Sequence, residues 1–423
     1  MKKDLFILFS LSVIVILVYF DAFFVFFAQD DFILIEYFAK NNLLQDIRNI
    51  FAFPTVTHWR PIHNLYFFIA GNLFDENYIG YHFVTFIFQI ASLYLIYKVV
   101  TLLTKLRRTG LITAILYGIN PSHFVSLFWI SGGATILGFF FLLASFYSFL
   151  IKKKNISTIL YAFSLLASEA MLVGLGIFTF YLVLIKRQVE KAFLIRIALI
   201  WVTFLITRLI FFKWAETLDS YKVEFNENLF GAVKYYILRT LGFAESSGDS
   251  IANLLLITLI ILIVVFLANK IKRGENIKFI TFSFVVIFIG FFPFVLIPNH
   301  LSPHYMNVSI FGFSLLSALT LIHSKKTILF YTFVFLAISI LNINQTKNNN
   351  WVIKRSNLAE EILKKIQAEN PDSNSKLVFE DNELFTSYDA YISLGTGKAI
   401  DFWFREKNYN TCFSRFEKCN SLP

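Results

Sequence analysis

Cysteine occurs only twice in 423 residues, and charged residues make up only 16% of the chain. No stretch has the His/Cys spacing of a zinc site, a P-loop or a glycine-rich dinucleotide fingerprint, so neither ATP nor a nucleotide sugar is indicated. So small a charged fraction does not suit a soluble domain, whose polar surface must meet water. No repeat of twenty to fifty residues and no inverted-half symmetry is evident, which weakens a transporter reading.

What the chain does have is apolar bulk: 57% hydrophobic residues, 53 phenylalanines and a mean hydropathy of +0.64. A hydrocarbon core needs roughly 20 apolar residues per helix, and about eleven segments approach that. They cover residues 5–28, 79–103, 109–120, 129–151, 156–170, 171–185, 193–213, 251–269, 277–297, 307–323 and 327–343. The runs are unbroken rather than alternating, which suits helices and not barrel strands. The first segment, after Met1-Lys2-Lys3, exceeds a signal peptide and lacks a small-residue cleavage site, so it is read as a retained helix.

Basic residues set the expected orientation, because short cytoplasmic loops hold them. Alternate connections, from Lys2-Lys3 through Lys105, Arg107 and Arg108 to Lys325-Lys326, carry seventeen Lys and Arg against Asp4, Glu190 and Glu275. The intervening stretches 30–76 and 214–250 each carry three basic residues against six carboxylates. The N-terminus is therefore expected inside and those loops outside the plasma membrane. The net charge of +10 is then a topology signal rather than a nucleic-acid surface.

Residues 344–423 carry eleven basic and eleven acidic residues and are expected outside as a small soluble α+β module, following a transmembrane domain over 1–343. Lys347-Asn348-Asn349-Asn350 reads as a linker, and Leu358, Ile362, Leu363 and Ile366 as one helix face ended by Pro371. Leu377-Val378-Phe379 and Tyr391-Ile392-Ser393 read as strands. In an oxidising compartment Cys412 and Cys419 are placed to close a short structural disulfide loop. The expected fold class is thus an all-α polytopic membrane protein with this module appended. Interfacial helices are expected in the first exterior loop, around Phe32, Ile35 and Phe38 and around Leu65, Phe68 and Ile69, and again near Leu229–Leu241.

Two clusters carry chemistry. Gln29-Asp30-Asp31-Phe32 puts adjacent carboxylates where the first helix leaves the membrane, a costly place for charge. Neighbouring helix residues diverge by about 100°, so one acid is free for chemistry while the other orients a partner. The same pair also reads as acids that merely serve topology and solvation. Thirty residues on, His58-Trp59-Arg60-Pro61-Ile62 sets a guanidinium, a bidentate binder of phosphate oxygens, beside an imidazole and an indole. The bland alternative is an interfacial Trp belt with an Arg for lipid headgroups.

These motifs, with Gly80-Tyr81-His82 entering a helix, resemble the first exterior loop of type C glycosyltransferases, in particular bacterial relatives of the protein O-mannosyltransferase and transmembrane O-mannosyltransferase group. Asn120-Pro121-Ser122-His123, Trp129-Ile130-Ser131-Gly132-Gly133, Ser168-Glu169 and Pro303-His304-Tyr305 follow in the order of that group, over residues 1–325. The resemblance implies a polyprenyl-phosphate sugar donor, inversion at the anomeric carbon and a loop acid as general base, here Asp30 or Asp31. Two positions depart from the group: Ser168 stands in place of a basic residue before Glu169, and His304 in place of Arg before Tyr305. The departures put the phosphate-binding cations in doubt and keep an inactive relative open.

The donor phosphate is expected to meet Arg60 first, then His58, His304 and Arg239, with Lys222 behind them, and Trp59 and Tyr305 beside the substrate. Glu169 reads either as a second active-site acid or as a helix-pairing residue. His82, His123 and His300 read as structural. No cofactor is required; a divalent metal on Asp30, Asp31 or Glu169 is an alternative, because hard cations prefer oxygen ligands. The expected partners are the carrier-linked donor, membrane lipid and a protein, lipid or glycan acceptor. A transporter or lipid-linked-glycan flippase is the rival class.

Overall fold

The computed structural model describes residues 2–39, 43–51, 59–211, 221–245, 249–322, 324–417 and 419. Among them, eight helices are long and apolar enough to cross a membrane, as in an integral membrane protein: Tyr78–Thr104, Ser131–Leu150, Glu169–Lys186, Lys191–Ile210, Ser250–Lys272, Ile277–Val295, Pro303–Leu321 and Lys325–Asn349. The expected eleven segments included three that are shorter than a span, each for a local reason. The first helix ends at Val18 and gives way to a 3-10 turn, Phe20–Phe24, where Asp21 interrupts the apolar run. The helix Arg107–Gly118 breaks at Asn120-Pro121 and resumes through Pro121–Phe128 at 52°, a bent pair that makes a ninth span if counted as one. Pro121 lacks an N–H, and the Asn120 side chain caps the new turn by accepting from Ser122 N–H at 3.0 Å. The third, Lys154–Ala167, stops after 14 residues where Ser168 turns extended.

The chain divides into two compact units. One comprises residues 1–20, 85–127 and 132–348, the other 21–84, 128–131 and 349–423. The tail thus does not form a unit alone. It shares one with the first loop and with residues 128–131, where Pro121–Phe128 gives way to Ser131–Leu150.

In the first unit, the helix Pro303–Leu321 is buried along its whole apolar window. It reaches its neighbour Ile277–Val295 through small residues. A Cβ on Gly290 would lie 2.4 Å from Ser309 Oγ, and one on Gly312 would lie 2.8 Å from Ile287 N. Ser309 Oγ donates to the Ile287 carbonyl at 2.8 Å across that contact. Close backbone approach and interhelical hydrogen bonds are what hold helices together where lipid is as apolar as leucine.

In the second unit, the first loop forms three helices, Asp30–Ala39, Leu43–Phe51 and Pro61–Phe74. Phe32, Ile35 and Phe38 are buried, in one hydrophobic cluster with Phe67 and Tyr81 and with Ile362, Leu394 and Phe402 of the tail. The expected 347–350 linker is instead the end of the helix Lys325–Asn349, and Asn350 caps the next helix, Trp351–Glu369, by accepting from Val352 N–H at 2.8 Å. Its buried face includes Ile362, Leu363 and Ile366, and Asn370, in the left-handed region at φ 44°, closes it. Lys376–Phe379 is a strand as expected, but Tyr391-Ile392-Ser393 is not. A capping box starts the helix Ser387–Ser393: Thr386 Oγ1 accepts from Asp389 N–H at 3.1 Å, and Asp389 Oδ2 accepts from Thr386 N–H at 3.3 Å. The partner strand is Asn410–Phe413, parallel, with Val378 opposite Cys412. Cys412 and Cys419 are joined by a disulfide.

Polar contacts pin tail to loop. Arg405 forks onto Asp75 with its closer contact at 2.8 Å, and Lys398 reaches Glu36 at 3.5 Å. The backbones come close at Gly395, φ 56°, where a Cβ would sit 2.5 Å from the Gln29 carbonyl oxygen and 3.0 Å from Phe32 Cβ. Gly395→Ala should therefore destabilise this unit by about 1–3 kcal/mol, through backbone strain and the clash. A lowered thermal midpoint in detergent checks it, with Gly231→Ala, whose Cβ would meet nothing within 4 Å, leaving the midpoint unchanged or raised.

Candidate functional site

The two adjacent carboxylates fare differently. Asp31 is 0% exposed. Its Oδ2 accepts from Ala28 N–H at 3.0 Å, and its Oδ1 accepts from Ser131 N–H at 2.7 Å and from Ser131 Oγ at 2.5 Å. Asp30, the first residue of the helix Asp30–Ala39, stays partly exposed. Burial is the main influence on Asp31 and lifts its carboxyl to about 7, against the pull of the three hydrogen bonds and with a small push from Asp30. The Ser131 hydroxyl suits both states of the acid: it donates to the carboxylate and can turn to accept from the neutral carboxyl.

The backbone before the pair is folded tightly. Gln29 lies in the left-handed region at φ 55°, Asp31 N–H donates to the Ala28 carbonyl at 3.2 Å, and Phe32 N–H donates to the Gln29 carbonyl at 3.1 Å. Trp129 Nε1 donates to the same Ala28 carbonyl at 3.3 Å. Gln29 N–H donates to the Ser393 carbonyl at 3.1 Å, and the Gln29 side-chain oxygen accepts from Arg355 Nη1. The Arg355 guanidinium lies 4.9 Å from the centre of the Trp351 ring, and Trp351 meets Trp129 edge to face at 5.1 Å. Burial lowers the Arg355 pKa, while Tyr388, Asp30 and Asp389 act to raise it.

Arg355 and Trp351 were not anticipated from sequence. The only available signal was their spacing, an aromatic and a cation four apart in the first turns of a helix, a pair that faces the same way. Ser131 stood in a quoted motif but had no role assigned to it.

The remaining expected residues fall as follows. Arg60 precedes Pro61 at the start of Pro61–Phe74, where its carbonyl accepts from Asn64 N–H at 2.8 Å, and Trp59 Nε1 donates to the Phe51 carbonyl at 3.1 Å. His58 lies outside the described residues. His82 donates through Nε2 to the Val25 carbonyl at 2.9 Å.

Glu169, Arg239, His304 and Tyr305 belong to the other compact unit. There Glu169 is ion-paired with Arg208 at 3.7 Å. Arg239 Nη1 donates to the Phe243 carbonyl at 2.8 Å, and its guanidinium lies over the Tyr235 ring. His304 Nδ1 shares a hydrogen bond with Ser302 Oγ at 2.5 Å, and Tyr305 stacks on Phe294 with ring centres 4.1 Å apart. His123 donates to the Tyr117 carbonyl at 2.8 Å. Among the described residues no three His, Cys, Asp or Glu side chains converge as a metal site.

No family model matches the chain, and no curated protein does. Two of the solved structures to which its fold is similar bear on chain course. One is ArnT from Cupriavidus metallidurans bound to undecaprenyl phosphate, at 11% identity and a TM-score of 0.48, covering 95% of this chain and 77% of that one. The other is the Archaeoglobus fulgidus oligosaccharyltransferase tethered to an acceptor peptide, at 12% identity and a TM-score of 0.48, covering 97% of this chain and 63% of that one.

Because burial lifts the folded Asp31 carboxyl from the ordinary 3.8 to about 7, the folded state holds more protons between those values. Its contribution to stability is full below about pH 4, declines as pH rises and levels off above about 7, a change of roughly 4 kcal/mol. Thermal midpoints of the wild type relative to Asp31→Asn should fall across pH 4–7. A flat difference contradicts the assignment.

Proposed function

We propose that the protein is a membrane glycosyltransferase that moves a sugar from a polyprenyl-phosphate carrier to an acceptor hydroxyl, with inversion, and that Asp30 is the general base. The observation that carries this reading is the unequal treatment of the two carboxylates. Asp31 spends both oxygens on Ala28 and Ser131. Asp30, held at the start of the same helix, stays partly exposed. One acid anchors and the other is presented, in the loop that also carries Arg60.

The step needs little else. The acceptor oxygen attacks the anomeric carbon while its proton passes to Asp30. The bond from that carbon to the phosphate oxygen breaks, and its electron pair leaves with the polyprenyl phosphate. Charge grows on the leaving phosphate, so a fixed guanidinium is the most effective aid, and Arg60 supplies it. A retaining route would need a second carboxylate poised as nucleophile. Asp31, buried and saturated with donors, does not serve as one. Glu169, engaged with Arg208, is read as helix-pairing.

Charge placement favours this reading over a transporter. In the eight long helices no Asp, Glu, Lys or Arg lies more than six residues from a helix end. Transporters set ionisable residues near the midplane in broken helices.

Asp30→Asn should reduce transfer from a polyprenyl-phosphate sugar by about 10²-fold or more, the usual contribution of a general base, while the folded protein is retained. Full activity in that variant rejects Asp30 as the base. Arg60→Ala should raise the apparent KM for the lipid donor more than that for the acceptor. An unchanged donor dependence removes Arg60 from the phosphate.

A further inference from the structure

We infer that Arg355 is a positioning residue for Asp30, acting through Gln29. This rests on the reading of Asp30 as the base and extends the site to the C-terminal tail. Gln29 adopts φ 55°, a left-handed conformation that costs a non-glycine residue about 1–3 kcal/mol and persists only where the surroundings impose it. Its surroundings do impose it. The Gln29 N–H is taken by the Ser393 carbonyl at 3.1 Å, its side-chain oxygen by Arg355, and its carbonyl faces Gly395 so closely that no Cβ fits there. All three partners come from the tail.

Arg355 is itself fixed. Its guanidinium lies on Trp351, Trp351 meets Trp129, and Trp129 Nε1 bonds the carbonyl of Ala28, the residue before Gln29. The contacts close into a ring: Ala28, Gln29, Arg355, Trp351, Trp129 and back to Ala28. The residue immediately after this ring is Asp30. A rotation about Gln29 φ would swing the Asp30 carboxylate as a lever, and a misplacement of about 1 Å at a reacting group costs about 10²-fold in rate. A planar, rotamer-limited fork stacked on an indole is suited to holding that lever, where a flexible ammonium is not. The guanidinium also faces Asp30, Tyr388 and Asp389 electrostatically.

The test uses the full chain in membranes, with Arg355→Gln, Gln29→Ala and the double variant. Each single change should lower kcat by about 10- to 100-fold and leave the donor KM within about twofold. The double variant should be no worse than the poorer single one, because both break the same link. Amide hydrogen exchange supplies a readout independent of transfer: residues 29–33 should exchange at least about tenfold faster in both single variants, with residues 356–366 unchanged. A raised donor KM at constant kcat would make Arg355 a phosphate ligand and overturn the inference. So would additive losses in the double variant, or unchanged exchange at 29–33. If the wild type moves no sugar from a polyprenyl phosphate, the transferase reading fails, while the exchange measurement still decides whether the clamp exists.

Discussion

The second compact unit is organised around a buried carboxylate that has to be satisfied. Asp31 is out of contact with solvent, and an acid in that position is tolerated only when hydrogen-bond donors surround it. Two of those donors come from Ser131, 100 residues away in sequence, and the third from Ala28. Meeting that demand draws residues 128–131 into the unit and fixes the turn from which the helix Asp30–Ala39 starts. With the start of the helix fixed, Gln29 is caught in its left-handed turn, and the tail packs over it through Ser393, Gly395 and Arg355.

Anchoring and presentation are thus divided between adjacent residues. A helix makes that division easy, since consecutive side chains leave the axis in different directions. A group that must meet substrate has to stay accessible, and a group that holds the geometry has to be withdrawn. On the proposed reading Asp30-Asp31 meets both needs within one turn, next to the fully buried Phe32.

Much of this was legible in the sequence. Hydropathy located the long helices, Asp30 and Asp31 stood out because charge beside apolar segments is costly, and Arg60 because a guanidinium binds phosphate oxygens. The count of spans was too high because hydropathy does not register where a backbone breaks, at Asp21, at Asn120-Pro121 and at Ser168. The strand expected at Tyr391-Ile392-Ser393 gave way to a helix because the Thr386 and Asp389 capping box outweighs a short β-favouring run. Arg355 was hidden for a different reason. Its role depends on Gln29, 326 residues distant, and periodicity within one helix carries no information about such a partner.

The discontinuity of the second unit bears on the order of assembly. Its three pieces, 21–84, 128–131 and 349–423, are separated in synthesis by most of the chain. When the first loop emerges, the groups that shape the turn at Gln29 have not yet been made. The carboxylate of Asp31 waits for Ser131, and Gln29 waits for Arg355, Ser393 and Gly395, which follow the last long helix. A chain stopped at residue 349 would hold the eight long apolar helices of the described residues and lack the tail partners of Gln29. Closure of the turn ahead of Asp30 therefore waits on residues 355–395, which are made after the last long helix.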